Sequence, residues 1–293
     1  DEGYEEEAAD AAEELQEAPL TEEEEEARGV AQHLLLNAPP GEFTELLDDV
    51  AALTPERALE GGFVNGVARA RNAQILETAI TKDGARVMLC REAEATPTTF
   101  RDANGKLYDV DHATLSAVSV EDGYDEDAVP ESLKTARDEL HKSLSVYAST
   151  RYLGEGHAAT YVVGDALKAV VRGSRKNLGN FHSGSWASAW TLTPSSEGYD
   201  VQGMIQVRAH YFEDGNVQLY ATKEVTASTR DVSQLIEASE NALHAGLEAM
   251  YGDMADATFK ALRRVMPITK LKMKWSVDAL RLKGGLTKAA AEV

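Results

Sequence analysis

The stretch Val207-Arg208-Ala209-His210-Tyr211-Phe212-Glu213-Asp214-Gly215-Asn216-Val217-Gln218-Leu219 decides the fold. Its two arms alternate, the period of a half-buried strand, and they meet at Asp214-Gly215, a dipeptide suited to a tight hairpin turn. Working outward, strand signals run over about 158–164, 167–173 and 185–193, and the hairpin arms extend to about 201–211 and 215–225. Strands this close in sequence favour an antiparallel meander over βαβ units.

Downstream, Val232, Leu235, Ile236, Leu243, Leu247, Met250 and Met254 recur at helical spacing. They predict a long helix from about Thr229 to Val265, ended by Pro267 and apolar enough on one side to lie across the sheet. Upstream of the sheet, Leu133, Leu140, Leu144 and Tyr147 predict another helix. Before that, Gln74 to Thr81, Ala85 to Cys90, Lys106 to Val110 and Thr114 to Val120 read as short strands, with Asp83-Gly84 and Asn104-Gly105 as hairpin turns. Nearer the start, Thr21 and Glu24 form a capping-box signature for a helix reaching about Leu36, where Pro39-Pro40-Gly41 stops it. A second helix carries Phe43, Leu46, Leu47 and Val50 on one face, and a third, from Pro55 to about Arg71, carries Leu59, Phe63 and Val67. Three short helices with tight connections suggest an antiparallel bundle.

The organisation expected is therefore α+β. Residues 1–20 form a disordered acidic arm, 21–72 a helical stalk, and 73–125 a small antiparallel β region. Residues 126–266 hold a helix, a five-stranded antiparallel meander and the long helix crossing it, and 267–293 an amphipathic basic tail helix. The chain of 293 residues is long enough for a large core. Its single cysteine, Cys90, excludes an internal disulfide and suits a reducing compartment. The apolar runs are too short to span a bilayer, and the acidic residues Asp1 to Glu7 lack the layout of a secretory signal. These features read as a cytoplasmic protein.

Charge is unevenly spread. Up to Arg28 there are fourteen acids and one base; from Phe259 onward there are nine Lys/Arg and two acids, in a chain of net charge −21. So acidic a body is a poor nucleic-acid binder, because phosphate contact needs clustered cations. The basic tail is the place for an acidic partner. Within it Ile268, Leu271, Trp275, Ala279, Leu282 and Leu286 form one apolar stripe, with Lys270, Lys274, Arg281 and Lys288 largely off it. The stripe suits either a terminal helix docked on its own domain or one that meets a partner. So many cations favour the second, as a steering patch with Trp275 the apolar anchor, since interface energy concentrates in buried Trp, Tyr and Arg.

Local signs of catalysis are weak. Gly154-Glu155-Gly156-His157-Ala158-Ala159 has the spacing of a dinucleotide fingerprint, but a helix precedes it and a strand follows, the reverse of the required context. Gly173 to Gly179 has the wrong glycine spacing for a phosphate loop, and Asn180-Phe181 stands where Lys-Ser/Thr is needed. The seven histidines show no zinc-ligand spacing, and Cys90 has no signature of a nucleophile. No cofactor, metal or catalytic residue is assigned; the chain reads as a binding protein and not an enzyme.

Three segments carry a resemblance. Asn37-Ala38-Pro39-Pro40-Gly41-Glu42-Phe43, His210-Tyr211-Phe212-Glu213-Asp214-Gly215-Asn216-Val217-Gln218-Leu219, and Thr258-Phe259-Lys260-Ala261-Leu262-Arg263-Arg264 with Pro267-Ile268-Thr269 are similar, in order, to signatures of the actin-capping protein alpha subunit family. Weaker likeness lies at Lys176-Asn177 and from Trp186 to Trp190. The resemblance implies a heterodimer with a similar beta subunit, one continuous sheet shared between the two, and binding to the barbed end of the actin filament in the cytoskeleton. It implies that Lys260, Arg264 and Lys270 contact actin, with Lys274, Leu271 and Trp275 beside them. Lys270 stands where the family carries arginine, so bidentate pairing is lost there. Phosphoinositides and capping regulators are further partners the resemblance implies. It leaves a second job open, that of a fixed subunit in a larger assembly containing actin or an actin-related protein, without capping free filaments.

Overall fold

Thr21 and Glu24 close the capping box that starts the first helix: the Glu24 amide donates to Thr21 Oγ1 and the Thr21 amide to Glu24 Oε2, at 3.3 and 2.8 Å. In this computed structural model the described residues are 19–123, 129–153, 155–213 and 216–253. The arm before residue 19, the Asp214-Gly215 turn and the whole tail from 254 lie outside them.

The helical part contains α1 (Glu22–Leu36), α2 (Phe43–Leu53), α3 (Glu56–Leu59) and α4 (Phe63–Gln74). The single third helix expected from Pro55 to Arg71 is thus two helices. The break falls at Gly61 and Gly62, whose φ values of 68° and 74° are left-handed and leave the helical ladder. The bundle closes on Ala31, Leu35, Ala38, Phe43, Val50, Val67 and Ala68. Buried Arg71 stacks over the Phe43 ring at 5.3 Å and donates to the carbonyls of Ala38 and Pro39, pinning the turn after α1. Burial pulls its pKa down to about 10, so it is cationic at neutral pH.

The first sheet comprises β1 (Thr78–Thr81), β2 (Arg86–Met88), β3 (Thr99–Arg101), β4 (Lys106–Asp111) and β5 (Ser116–Gly123), in the order β2-β1-β5-β4-β3. It is mixed, which corrects the expectation of a wholly antiparallel region: β1 pairs parallel with β5, Ile80 opposite Ser116. The β1–β2 hairpin and the β3–β5 meander each obey their local turns. The segment between β2 and β3 is long enough to carry the chain across, so the two units join through strands running the same way.

The second sheet is the expected meander, β6 (Gly156–Val163), β7 (Ala166–Asn177), β8 (His182–Ser195), β9 (Gly198–Tyr211) and β10 (Val217–Thr229), antiparallel throughout and in sequence order. One face packs under α5 (Glu131–Arg151) and α6 (Val232–Asp253), burying Leu144, Ala148, Ala169, Val171, Trp190, Leu192, Val201, Ile205, Val232 and Ile236. Gly203 lies under the Trp190 ring, where a Cβ would come within 2.0 Å. The Asp231 carboxylate accepts from the Gln234 amide and the Ser233 hydroxyl, so α6 starts just after it. Residues 254–265 of the expected helix lie outside the described residues.

The other face of the second sheet meets the first sheet near β6 and β7, where Ala159, Tyr161 and Val170 join Met88, Phe100 and Tyr108 in one core. A buried ion pair between Arg172 on β7 and Glu77 at 2.5 Å, with Arg172 Nη1 donating to the Ile75 carbonyl at 2.6 Å, fixes that junction.

Candidate functional site

A five-stranded sheet has two edges, and here they are treated differently. The β6 edge is capped at two points: Arg86 Nη1 donates to the Gly156 carbonyl and Arg101 Nη2 to the Val162 carbonyl, while α5 covers its inner face. At the opposite edge β10 pairs with β9 over all 13 residues and has no strand on its outer side among the described residues. Its burial alternates between exposed and half-buried and never reaches the full burial of β7, β8 and β9. Leu219, Ala221, Lys223, Val225 and Ala227 form the half-buried row on the helix side. Val217 and Tyr220 are exposed. A long bare edge of this kind is a template for another strand.

Helix α6 belongs to the same surface. Its first turns are buried at Val232 and Ile236, but Leu243 and Leu247 are only half-buried and Met250 is exposed. Among the described residues the apolar stripe therefore outlasts its cover. Glu240 anchors the helix where these halves meet. Ser188 Oγ donates to Glu240 Oε1 at 2.6 Å, and the Tyr147 and Tyr152 hydroxyls donate to Oε2 at 2.7 and 2.8 Å. Trp190 Nε1 in turn donates to Ser188 Oγ. Burial raises the Glu240 pKa above the usual carboxylate range, against the lowering effect of these hydrogen bonds. Burial, and then the neighbouring carboxylate, push both tyrosines upward. A buried carboxylate is tolerated because its hydrogen bonds are made.

A second polar cluster joins two of the segments singled out in the sequence. Glu42, in the turn after α1, accepts from Ser183 Oγ at 2.8 Å and lies 2.8 Å from His210 Nδ1 on β9. His210 Nε2 reaches Asn216 Oδ1 at 3.1 Å, and its ring stacks on Phe212 with centroids 5.0 Å apart. The helical bundle is thus tied to the end of the β9–β10 hairpin, and fixing that end fixes the direction of the bare edge.

The residues expected to touch a partner from the tail, Lys260, Arg264, Lys270, Leu271, Lys274 and Trp275, all lie outside the described residues. What is placed is α6, the helix that leads to them, anchored through Glu240. Sequence reasoning missed Glu240, Glu42 and the Arg172–Glu77 pair. Glu42 and His210 did stand inside quoted motifs, whereas Glu240 was one of 50 acids with nothing local to distinguish it.

None of the motifs weighed in the sequence meets a catalytic setting among the described residues. Gly156 opens β6, so the glycine-rich segment enters a strand and offers no helix N-terminus for a phosphate; Gly154 lies outside the described residues. Gly173 to Asn177 belong to β7. The Cys90 thiol is buried and pushed up to about 12 by burial, which leaves it protonated and unreactive. No group of three or more His, Cys, Asp or Glu that could hold a metal ion occurs among the described residues, and no helix among them is long and apolar enough to cross a membrane.

Comparison with known proteins bears on the partner. The model of the F-actin capping protein alpha subunit family matches residues 31–284. An F-actin-capping protein subunit alpha of Dictyostelium discoideum is 31% identical over 264 residues, covering 84% of this chain and 92% of that protein. The corresponding subunit of Caenorhabditis elegans is 28% identical over 271 residues, covering 84% and 92%. That of Arabidopsis thaliana is 27% identical over 289 residues, covering 91% and 93%. Among solved structures, a homodimeric actin capping protein alpha subunit from Plasmodium berghei superposes with a TM-score of 0.69 at 20% identity, covering 84% of this chain and 99% of that one, a likeness of fold.

Proposed function

The chain belongs to the F-actin capping protein alpha subunit family, and from this we infer that it is the alpha half of a heterodimer that binds the barbed ends of actin filaments and blocks addition and loss of subunits. Its work is binding and not catalysis. The observation that carries the reading is the extent of the family match, which runs to residue 284 and so takes in the basic tail as far as that residue.

The beta subunit adds its own edge strand to β10, making one continuous sheet, and covers the rest of the α6 stripe. Main-chain hydrogen bonds along the edge give affinity, and burial of Leu243, Leu247 and Met250 contributes roughly 25 cal/mol for each Å² of apolar surface removed from water. Lys260, Arg264 and Lys270 on the tail steer the acidic body onto the barbed end and orient it, an effect felt chiefly in the association rate. Leu271 and Trp275 then bury against actin and lengthen residence, with Lys274 at the rim. The same cations attract phosphoinositides, which compete with the filament end. Capping regulators are further partners, and the protein works in the cytoplasm on the cytoskeleton.

The test is barbed-end elongation from filament seeds with the chain co-expressed with a beta subunit, against the triple variant Lys260→Ala, Arg264→Ala and Lys270→Ala. Strong inhibition by the parent and an on-rate lower by a factor of ten or more in the variant are expected, from about 0.5–1 kcal/mol per lost cation acting together. A well-folded parent dimer that leaves elongation unchanged sinks the reading.

A further inference from the structure

The bare edge has a charge pattern with consequences for which strand it accepts. Among the 13 residues of β10 only Lys223 and Glu224 are charged, adjacent and at its centre. They point to opposite faces, Lys223 to the helix side among Leu219, Ala221, Val225 and Ala227. On β9 they face Ile205 and Met204, so neither meets an opposite charge across that ladder. The Lys223 ammonium reaches only the Ser239 carbonyl, at 3.5 Å. Neither forms an ion pair among the described residues.

Pairing with a second copy of β10 therefore meets an obstacle. Residues opposite one another in an antiparallel ladder share a face, so registers shift in steps that keep the helix-side row together. In the two-fold register that pairs all 13 residues, Lys223 faces the Lys223 of the second copy. One step in one direction brings Glu224 opposite Glu224. A step in either direction drops two residues of each strand from the ladder and sets the two lysines on the diagonal, roughly 7–8 Å apart. Since an alpha subunit of similar fold is homodimeric, the architecture itself does not forbid like pairing. The prohibition has to be written in side chains. An inward-pointing charge on an edge strand is one way to write it.

We propose that Lys223 and Glu224 select the partner strand: they oppose pairing of β10 with itself and favour a strand that sets a carboxylate opposite Lys223 on the helix side and a cation opposite Glu224 on the other. This rests on the heterodimer reading above and names the chemistry of its interface. Lys223 is already half-buried in the single chain, and any further cover from a partner would make its charge demand a counter-charge.

The experiment co-expresses two differently tagged copies of the chain with a limiting amount of the beta subunit and measures the capture of alpha by alpha and of beta by alpha. The parent is expected to capture beta and almost no second alpha. Lys223→Leu is expected to raise alpha–alpha capture about fivefold, because one like-charge pair is removed. It is expected to weaken alpha–beta association tenfold or more, because the partner's carboxylate is left buried and unpaired. Lys223→Arg should behave as the parent. Lys223→Gln, nearly the same size and still polar, should shift both values the same way as the leucine variant and serves where that variant fails to fold. Unchanged beta capture in the Leu and Gln variants, or a fall in both kinds of capture together, overturns the proposal while leaving the heterodimer intact. A parent that captures alpha as readily as beta overturns both.

Discussion

Glu240 shows how much a single side chain can hold. Three hydroxyls, from Tyr147 on α5, Tyr152 just after it and Ser188 on β8, converge on one carboxylate, and the Trp190 indole donates to the last of them. Because burial raises its pKa, the folded state keeps the proton that the unfolded chain releases near 4.5. Stability from this group is complete below that value and is lost as pH rises through the folded pKa. Glu240→Gln removes the titration. In urea unfolding across a pH series, the variant is expected to gain on the parent as pH rises above 4.5, with a baseline loss of about 1–3 kcal/mol from the altered hydrogen bonds. A constant difference at every pH would show that the carboxylate does not titrate as argued. Nothing in the sequence set this acid apart, since its role depends on what α5 and β8 place around it. Glu42 and His210 were quoted in motifs, but their contact joins positions far apart in the chain.

Elements followed local rules where local rules decide. The meander was legible because each strand pairs with its sequence neighbour and alternation marks the faces. α1 was legible because Thr21 and Glu24 cap it and Pro39-Pro40 end it. The miss at α3 and α4 arose because Phe63 and Val67 keep the helical spacing straight through Gly61-Gly62, so periodicity outvoted the glycines. β3 is only three residues long, too short for any period to register. The parallel β1–β5 pairing has no local sign, being set by how two hairpins dock. Between elements, the link from the α1–α2 turn to β9 is testable by a double-mutant cycle of Glu42→Ala and His210→Ala in thermal or urea unfolding. Each single variant should cost about 1–3 kcal/mol and the coupling should be about 0.5–3 kcal/mol. A coupling near zero would mean that the stalk and the hairpin end are held together by something else.

For the whole molecule, arginines hold carbonyls of the β6 edge, while the β10 edge is bare among the described residues. The isolated chain is expected to be poorly soluble and to aggregate when expressed alone, and to become monodisperse with a beta subunit, because the open strand and the uncovered α6 stripe then gain their cover. Size-exclusion chromatography with light scattering decides it, and a stable, monodisperse isolated monomer would contradict the account. The candidate site was legible in part. The basic tail announces itself through nine cations against two acids, whereas the bare edge shows no motif and emerges only from β10 being half-buried on one face and, among the described residues, open on its flank.

The meander also bears on the order in which the molecule assembles. Every ladder in the second sheet joins neighbours along the chain, so each hairpin closes a short loop at small entropic cost and hands a formed edge to the next strand. The first sheet, by contrast, must wait for Ile80 to find Ser116 across the intervening strands, and for Arg172 to reach back to Glu77. Low contact order in one half and high contact order in the other set a sequence of events. The second sheet is expected to form first, with the segment upstream of it, though synthesised earlier, consolidating last by docking onto a template already made.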